Sequence, residues 1–241
     1  MSTIYGASHP LDGVPSGAEA VIDNQLIHRP QLWEAVTDRL RGAILTGEIP
    51  AGTKLVEAAL AELYGTSRGP IREAVRELAR QGLVVEVPRR GSVVATLTSR
   101  DLAEVYEVRE ALESGASKAA IRRATDTELR ELERCLDPME QAWEHDAWSL
   151  ASVELDFAFH RRLLALARNE RMSTTYEHML TQNMHLLRTA AEANPTLRSG
   201  IEPSVHRDIL AALVARDEGR AGAAIDAHYR LAEERLFAQL A

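Results

Sequence analysis

The run Gly65-Thr66-Ser67-Arg68-Gly69-Pro70-Ile71-Arg72-Glu73-Ala74-Val75-Arg76-Glu77-Leu78-Ala79-Arg80-Gln81-Gly82 decides how the chain is read. Thr66 and Ser67 offer hydroxyls to cap a helix over Ser67 to Gln81, Pro70 is tolerated in its first turn, and Gly82 ends it. Arg68, Arg72, Arg76 and Arg80 recur every four residues and therefore line one face. Working upstream, Leu55 to Tyr64 reads as a short helix with Gly65 at its C′ position, Pro50-Ala51-Gly52 as a turn, and Leu32 to Leu45 as a helix with Val36, Leu40 and Ile44 at helical period. Downstream, the runs Leu83 to Val87 and Ser92 to Ala95 flank Pro88-Arg89-Arg90-Gly91, the pattern of a β-hairpin.

Three helices and a hairpin, with a tight glycine turn between the second and third helices, make a winged helix-turn-helix layout. Its chemistry is nucleic-acid readout. A helix N-terminus presents unpaired N–H groups and partial positive charge to phosphate, and Ser67 adds a hydroxyl. Arg68 and Arg72 lie one turn apart where a recognition helix meets base edges, and arginine suits bidentate contact with guanine. Arg90 and Gly91 at the hairpin tip let a wing approach the DNA backbone or minor groove closely. The alternative is a solvated helix face on which Arg72, Arg76, Glu73 and Glu77 form ordinary surface ion pairs.

Composition sets the bounds. The 241 residues allow one large domain or two modest ones, with 45% hydrophobic and 27% charged residues. One cysteine, Cys135, excludes an internal disulfide framework and a cysteine-rich zinc finger. Aromatics are only 5%, which together with the abundance of Ala and Leu favours helices over a sheet sandwich. No signal-peptide core and no membrane-spanning run is visible, so a soluble cytoplasmic protein is expected. The net charge of -8 argues against nucleic acid until it is divided. Residues 31–98 hold nine basic against eight acidic residues, while 99–241 hold eighteen against twenty-five. The acidity thus lies outside the candidate DNA reader. Long-range attraction to DNA should still be weak, so affinity should depend on specific, dimeric docking.

From Ser99 onward no strand pattern occurs. Thr98-Ser99-Arg100-Asp101 opens a helix to about Arg123, and Thr125-Asp126-Thr127-Glu128 is a capping-box pattern opening another. Further helices are expected over 146–167, 171–193, 202–216 and 218–238, with a break marked by Asn194-Pro195 and Ser199-Gly200. The expectation is a mainly α protein: an extension over 1–30, the winged helix-turn-helix over 31–97, and an all-α bundle of six or seven helices over 98–241.

Eight histidines are present. Asp156 and His160 stand i, i+4 on one helix face, His206 begins a later helix and His228 lies in the last one. Three imidazoles and a carboxylate suit Zn²⁺, Ni²⁺ or Mn²⁺ with positions left for water or an anion. The alternative is a surface pair or a satisfied core histidine; His145, His178 and His185 show how readily histidines occur without a site, and His178 and His185, which share a helix face, read as packing or surface residues.

The string Ser67-Arg68-Gly69-Pro70-Ile71-Arg72-Glu73-Ala74, with Pro50-Ala51-Gly52 before it and Gly82-Leu83-Val84 and Arg90-Gly91 after it, resembles the GntR family of bacterial transcription regulators. The resemblance implies DNA contacts at Ser67, Arg68, Arg72, Arg90 and Gly91. Some members read DNA with an arginine at the start of the second helix, where this chain has Ala58. The C-terminal half resembles the FadR-type helical effector domain through Tyr106-x-x-Arg109-x-x-Leu112-Glu113, Asp156-x-x-Phe159-His160, His206 with Ile209-Leu210, and His228. That resemblance implies a divalent metal, foremost Zn²⁺, on Asp156, His160, His206 and His228. It also implies a small carboxylate effector paired with Arg109, whose planar guanidinium matches a carboxylate; Glu110 or Glu113 could instead hold Arg109 in a structural ion pair. The second histidine motif is Val205-His206 where Glu-His is usual, which removes a partner of the ligand but not the ligand. The expected protein is a homodimeric regulator, a repressor of an operator on double-stranded DNA, with no membrane partner and no turnover. A metal sensor and a metal-dependent hydrolase are the alternatives.

Overall fold

In the computed structural model, residues 32–96, 98–146, 150–193 and 202–240 are described. The expected extension over 1–30 and the break at Asn194-Pro195 and Ser199-Gly200 lie outside them. The first element, α1 (Leu32–Thr46), buries Val36, Leu40, Ala43 and Ile44 along one stripe. It stops where Gly47 takes φ +74°, a left-handed conformation that glycine adopts without a Cβ penalty. Next come α2 (Glu57–Leu63) and α3 (Arg68–Arg80), separated by Gly65 at φ +62°. The buried stripe of α3, Ile71, Ala74, Val75 and Leu78, faces away from its arginines. Strands β1 (Val84–Val87) and β2 (Gly91–Val94) pair antiparallel, Val84 opposite Val94 and Val87 opposite Gly91. The turn after α1 adds to this hairpin: Lys54 bridges to Val93, Leu55 N–H donates to Ser92 O and Val94 N–H to Thr53 O, both at 2.9 Å. Side chains from α1, α2, α3 and β1 share one apolar cluster around Leu40, Ile71 and Leu78.

Seven helices follow among the described residues: α4 (Ser99–Arg123), α5 (Asp126–Glu133), α6 (Leu136–Asp146), α7 (Leu150–Leu166), α8 (Glu170–Ala193), α9 (Pro203–Val214) and α10 (Glu218–Leu240). The expected caps of α4 and α5 form. Thr98 and Asp101 exchange side-chain and backbone hydrogen bonds at the start of α4, and Thr125 and Glu128 do so at α5. The sequence pattern did not single out α6, and the second helix of the reader begins at Glu57 rather than Leu55. Helix α4 is central, packing against α7, α8, α9 and α10. Burial on α7 extends round several faces, with Val153, Phe157, Phe159, Leu163 and Leu166 all in the core. Polar residues on such a helix are carried into the interior. Each large apolar side chain buried here contributes about 1.5–3 kcal/mol, which offsets the cost of enclosing those polar groups.

Helix α8 also touches the reader. Gln182 Nε2 donates to Gln81 O at 3.0 Å, and His185 Nε2 donates to Ala95 O at 2.8 Å. Gly82 (φ +76°) lets this approach happen, because a Cβ there would stand 2.5 Å from Gln182 Nε2. His185 is buried, in keeping with the packing reading, and it ties α8 to the residue following β2.

Candidate metal centre and nucleic-acid interface

The N-terminal edge of α3 is open. Ser67 is its N-cap (φ −79°, ψ 168°), yet the hydroxyl makes no capping hydrogen bond. The expected side-chain cap is not made, and Ser67 is exposed. Arg68 is exposed. Arg72 is 52% exposed and reaches Glu57 of α2 at 3.1 Å. Further along, Arg76 pairs with Glu73 at 2.9 Å and Arg80 with Glu77. Three of the four arginines of the face are thus ion-paired, Arg76 and Arg80 within the helix as the solvated-face reading expects and Arg72 with Glu57 of α2. At the wing, Arg90 and Gly91 are exposed, with Arg89 at φ +64° and Gly91 at φ +79°. Arg90 N–H closes the turn on Val87 O at 3.0 Å, so the tip is a tight loop with two arginine side chains projecting from it.

The interior of the bundle brings together four residues far apart in sequence. Asp156 and His160 come from α7, His206 from α9 and His228 from α10, and one ligand atom from each lies within 4.8 Å of all the others. His206 Nε2 stands 2.9 Å from Asp156 Oδ1 and 3.3 Å from His160 Nε2. All three histidines are buried, and the Asp156 side chain is 20% exposed. Phe159 walls one side, edge-on to His160 and His206 with ring centroids 5.4 and 5.0 Å away. Behind His160, Nδ1 lies 2.7 Å from Glu113 Oε2, off the in-line direction but at the distance of a charge-assisted contact. With the ring proton held on that side, Nε2 turns its lone pair into the cluster.

Two carboxylates favour positive charge on the histidines of this cluster. Burial would lower the His160 imidazole, but the Glu113 and Asp156 carboxylates outweigh it and push it up to about 9. Burial would raise the Asp156 carboxyl, but His160 and His206 hold it well below the usual range. His228 is driven well below its ordinary value by burial and by the positive neighbours His160 and His206. Its Nδ1 and that of His206 are buried without a hydrogen-bond partner. Nitrogen donors converging on a carboxylate in a nearly dry pocket fit a divalent metal, since an ion satisfies lone pairs that would otherwise repel.

Beside this cluster, Arg109 on α4 is 3% exposed. Four aromatic rings enclose its guanidinium, Tyr106, Phe157, Tyr176 and Tyr229, with its carbon 5.2–5.7 Å from their centroids. It donates to Tyr176 Oη at 3.0 and 3.2 Å and lies 3.7 Å from Glu113 Oε1. Tyr176 and Tyr229 hydroxyls both donate to that same oxygen. Burial raises the Glu113 carboxyl, and His160 and then Arg109 outweigh it, so it is held low and ionised. Arg109 is at once a partner of Glu113 and a wall of a cavity of about 40 Å³, which it lines with Tyr106, Trp143, Asp156, Asn183 and His228. Glu113, Tyr176 and Asn183 were not singled out as site residues from sequence. One signal was present: Asn183 is the polar member of the stripe Tyr176, Leu180, Asn183, Leu187, spaced for one helix face.

Comparison with known proteins now bears on this geometry. The family described as "Bacterial regulatory proteins, gntR family" matches residues 32–94, and the family described as "FCD domain" matches residues 104–231. A probable D-xylose utilization operon transcriptional repressor from Paenarthrobacter nicotinovorans is 30% identical over 83% of this chain and 86% of its own length. The uncharacterized HTH-type transcriptional regulator YdhC of Bacillus subtilis is 32% identical over 59% of this chain, and the match spans 63% of that protein, less than two thirds. Among solved structures, E. coli McbR/YncC shares the fold with a TM-score of 0.70 at 24% identity, covering 88% of this chain and all of the other. No described helix is long and apolar enough to cross a membrane.

Proposed function

The chain belongs to the GntR family of bacterial regulatory proteins, with an FCD domain over most of its C-terminal half, and from that premise we propose that it is a homodimeric DNA-binding regulator whose operator affinity responds to a small carboxylate held beside a divalent metal ion. Residues 31–97 form the DNA-binding domain and 98–241 the effector-binding, dimerising domain. Ser67, Arg68 and Arg72 at the entrance of α3 read the major groove, and Arg90 and Gly91 at the wing contact the backbone. Two such readers on a two-fold axis require a near-palindromic site. Repression is the favoured sense, in keeping with the repressor relative.

The observation that carries this reading is the convergence of Asp156, His160, His206 and His228 next to a cavity lined by Arg109. The bound ion would supply Lewis-acid attraction for an anionic ligand; the three-nitrogen, one-oxygen donor set suits Zn²⁺, with Ni²⁺ or Mn²⁺ as close competitors. Arg109 gives the ligand carboxylate a planar partner, and the surrounding rings exclude water so that the pairing is strong. Helix α8 runs from this cavity, through Asn183, to the reader, through Gln182 and His185. A ligand with different affinities for two settings of α8 would shift the reader between them. The test is operator binding by fluorescence anisotropy with metal-loaded protein, chelated protein, and a panel of carboxylates. Ligand-dependent release that disappears in Arg109→Met and in His206→Ala supports the reading. Identical operator affinity under every condition refutes it, and release by chelation alone makes the metal itself the signal.

A further inference from the structure

Arg72 is held before any DNA arrives, and it is held from another helix. Glu57, the first residue of α2, grips one edge of its guanidinium: Nε donates to Oε1 and Oε2 at 3.3 Å, and Nη2 donates to Oε2 at 3.1 Å. The backbones beneath are anchored, since Leu60 and Ala61 of α2 share an apolar cluster with Ile71 and Val75 of α3. The two side chains stay open to solvent, Glu57 at 31% and Arg72 at 52% exposure. An ion pair so exposed adds little to stability. What it fixes is direction.

A guanidinium presents its N–H groups as two forks, one at the side and one at the end. Glu57 takes the side fork, formed by Nε and Nη2. The end fork, Nη1 with the second hydrogen of Nη2, is left, and Nη1 has no hydrogen-bond partner among the described residues. Two parallel donors on a held group match the N7 and O6 acceptors of guanine, whereas adenine presents a donor in place of one of them. Phosphate is a poorer match, because the Glu57 carboxylate repels a second anion on the same guanidinium. Arg68, exposed and one turn earlier, carries no such brace among the described residues.

Resting on the reading that α3 enters the major groove, we propose that Glu57 is a positioning residue of the DNA reader: it aims the end fork of Arg72 at a guanine. Each half-site then carries a G·C pair whose recognition depends on a residue outside the recognition helix. An arginine braced in advance loses less side-chain freedom on docking. At a wrong base the same brace leaves a donor fork unpaired, which sharpens discrimination.

The experiment uses the full-length protein and a duplex operator that it selects from a randomised library. Fluorescence anisotropy over single base-pair replacements should show, in each half-site, a G·C pair whose replacement weakens wild-type binding at least about tenfold and weakens Arg72→Ala by no more than about twofold. In Glu57→Ala the penalty at that pair should fall to within about threefold. Its penalties elsewhere should stay as in the parent, and random duplex should bind as tightly or more tightly, because an acidic charge has left the surface. In an Arg72→Ala background, Glu57→Ala should alter no penalty. The melting temperature of Glu57→Ala should lie within about 4 °C of the parent, as an exposed pair allows. Should that variant unfold, Glu57→Gln, which keeps one acceptor, should show a penalty between those of the wild type and Arg72→Ala. A Glu57 variant that keeps the full penalty, or that changes affinity for all duplexes alike, overturns the proposal. If Arg72→Ala keeps every penalty, Arg72 is no base reader and the proposal falls while DNA binding stands. If the wild type selects no sequence, the reading of α3 falls and the proposal with it.

Discussion

Glu113 is the residue on which the interior of the bundle depends most, and Glu113→Gln is the sharpest perturbation of it. The wild-type carboxylate serves four groups. Oε1 accepts from the Tyr176 and Tyr229 hydroxyls and balances Arg109 at 3.7 Å, while Oε2 faces His160 Nδ1 at 2.7 Å. Glutamine keeps the volume and loses the charge, and it turns one acceptor into a donor. Whichever way the amide turns, two donors face each other. The first consequence is an uncompensated guanidinium. Breaking a buried pair costs about 3–5 kcal/mol, and because Arg109 keeps Tyr176 and its four rings the low end applies, about 3 kcal/mol. At ~2–4 °C per kcal/mol for a chain of this size, the metal-free protein should melt about 6–12 °C lower. The second consequence is at the metal. A histidine ligand that loses its carboxylate partner typically costs 10–100-fold in affinity. Thermal unfolding by circular dichroism in chelator measures the first, and competition with a chromophoric chelator measures the second. Arg109→Met combined with Glu113→Gln should recover at least half of the stability lost in the single variant, because the buried charge has then gone with its partner. A single variant within 1 °C of the parent and within threefold in metal affinity, or a double variant whose losses simply add, would refute the reasoning.

Other outcomes follow from the same structure. Arg68→Ala should weaken operator binding by about 1–3 kcal/mol and relax discrimination at one base position, measured by anisotropy on single-base operator variants; an unchanged preference would remove Arg68 from the reader. The Glu128 carboxyl is lowered to about 2 by hydrogen bonds from the Thr125 backbone and side chain and from Arg168. Because its folded value lies below the ordinary one of 4.5, its contribution is complete above that value and is lost as pH falls toward 2. Thr125→Ala should lower the melting temperature at pH 7 and flatten that acid limb. Burial lowers the His185 imidazole, outweighing the carbonyl of Ala95 and the nearby Glu192, with Arg188 adding to the lowering. The folded chain therefore refuses a proton that the unfolded chain accepts, and stability should decline as pH falls through the ordinary imidazole value of 6.5; His185→Gln should lose that part of the pH dependence. Gly82→Ala, with its positive φ and with Gln182 in the way, should destabilise the protein by more than about 1 kcal/mol in chemical denaturation.

What was legible in the sequence was local. Glycines after helices, hydroxyls before them, the period of Val36, Leu40 and Ile44, and the alternation at the wing are each governed by interactions within a few residues, so the order of elements follows from the chain alone. The arginines of α3 were legible as a face for the same reason. Whether each was free was not, because the partner of Arg72 is Glu57, fifteen residues earlier on another helix. Helix α6 was missed, since it carries no cap pattern of its own and follows α5 after two residues, Arg134 and Cys135.

The interior site shows the same division. Asp156 and His160 share a helix turn, and their residue types, with His206 and His228, name the chemistry. Sequence by itself laid out the winged helix-turn-helix and the caps of α4 and α5, and resemblance added the four candidate metal ligands. Only the tertiary structure decided that candidate ligand atoms from α7, α9 and α10 meet within 4.8 Å and that Glu113 stands behind His160 and beside Arg109. Burial and charge compensation are properties of how helices pack. Pattern within one helix shows which face turns inward, but the packing of several helices decides which side chains that face meets and whether their charges cancel.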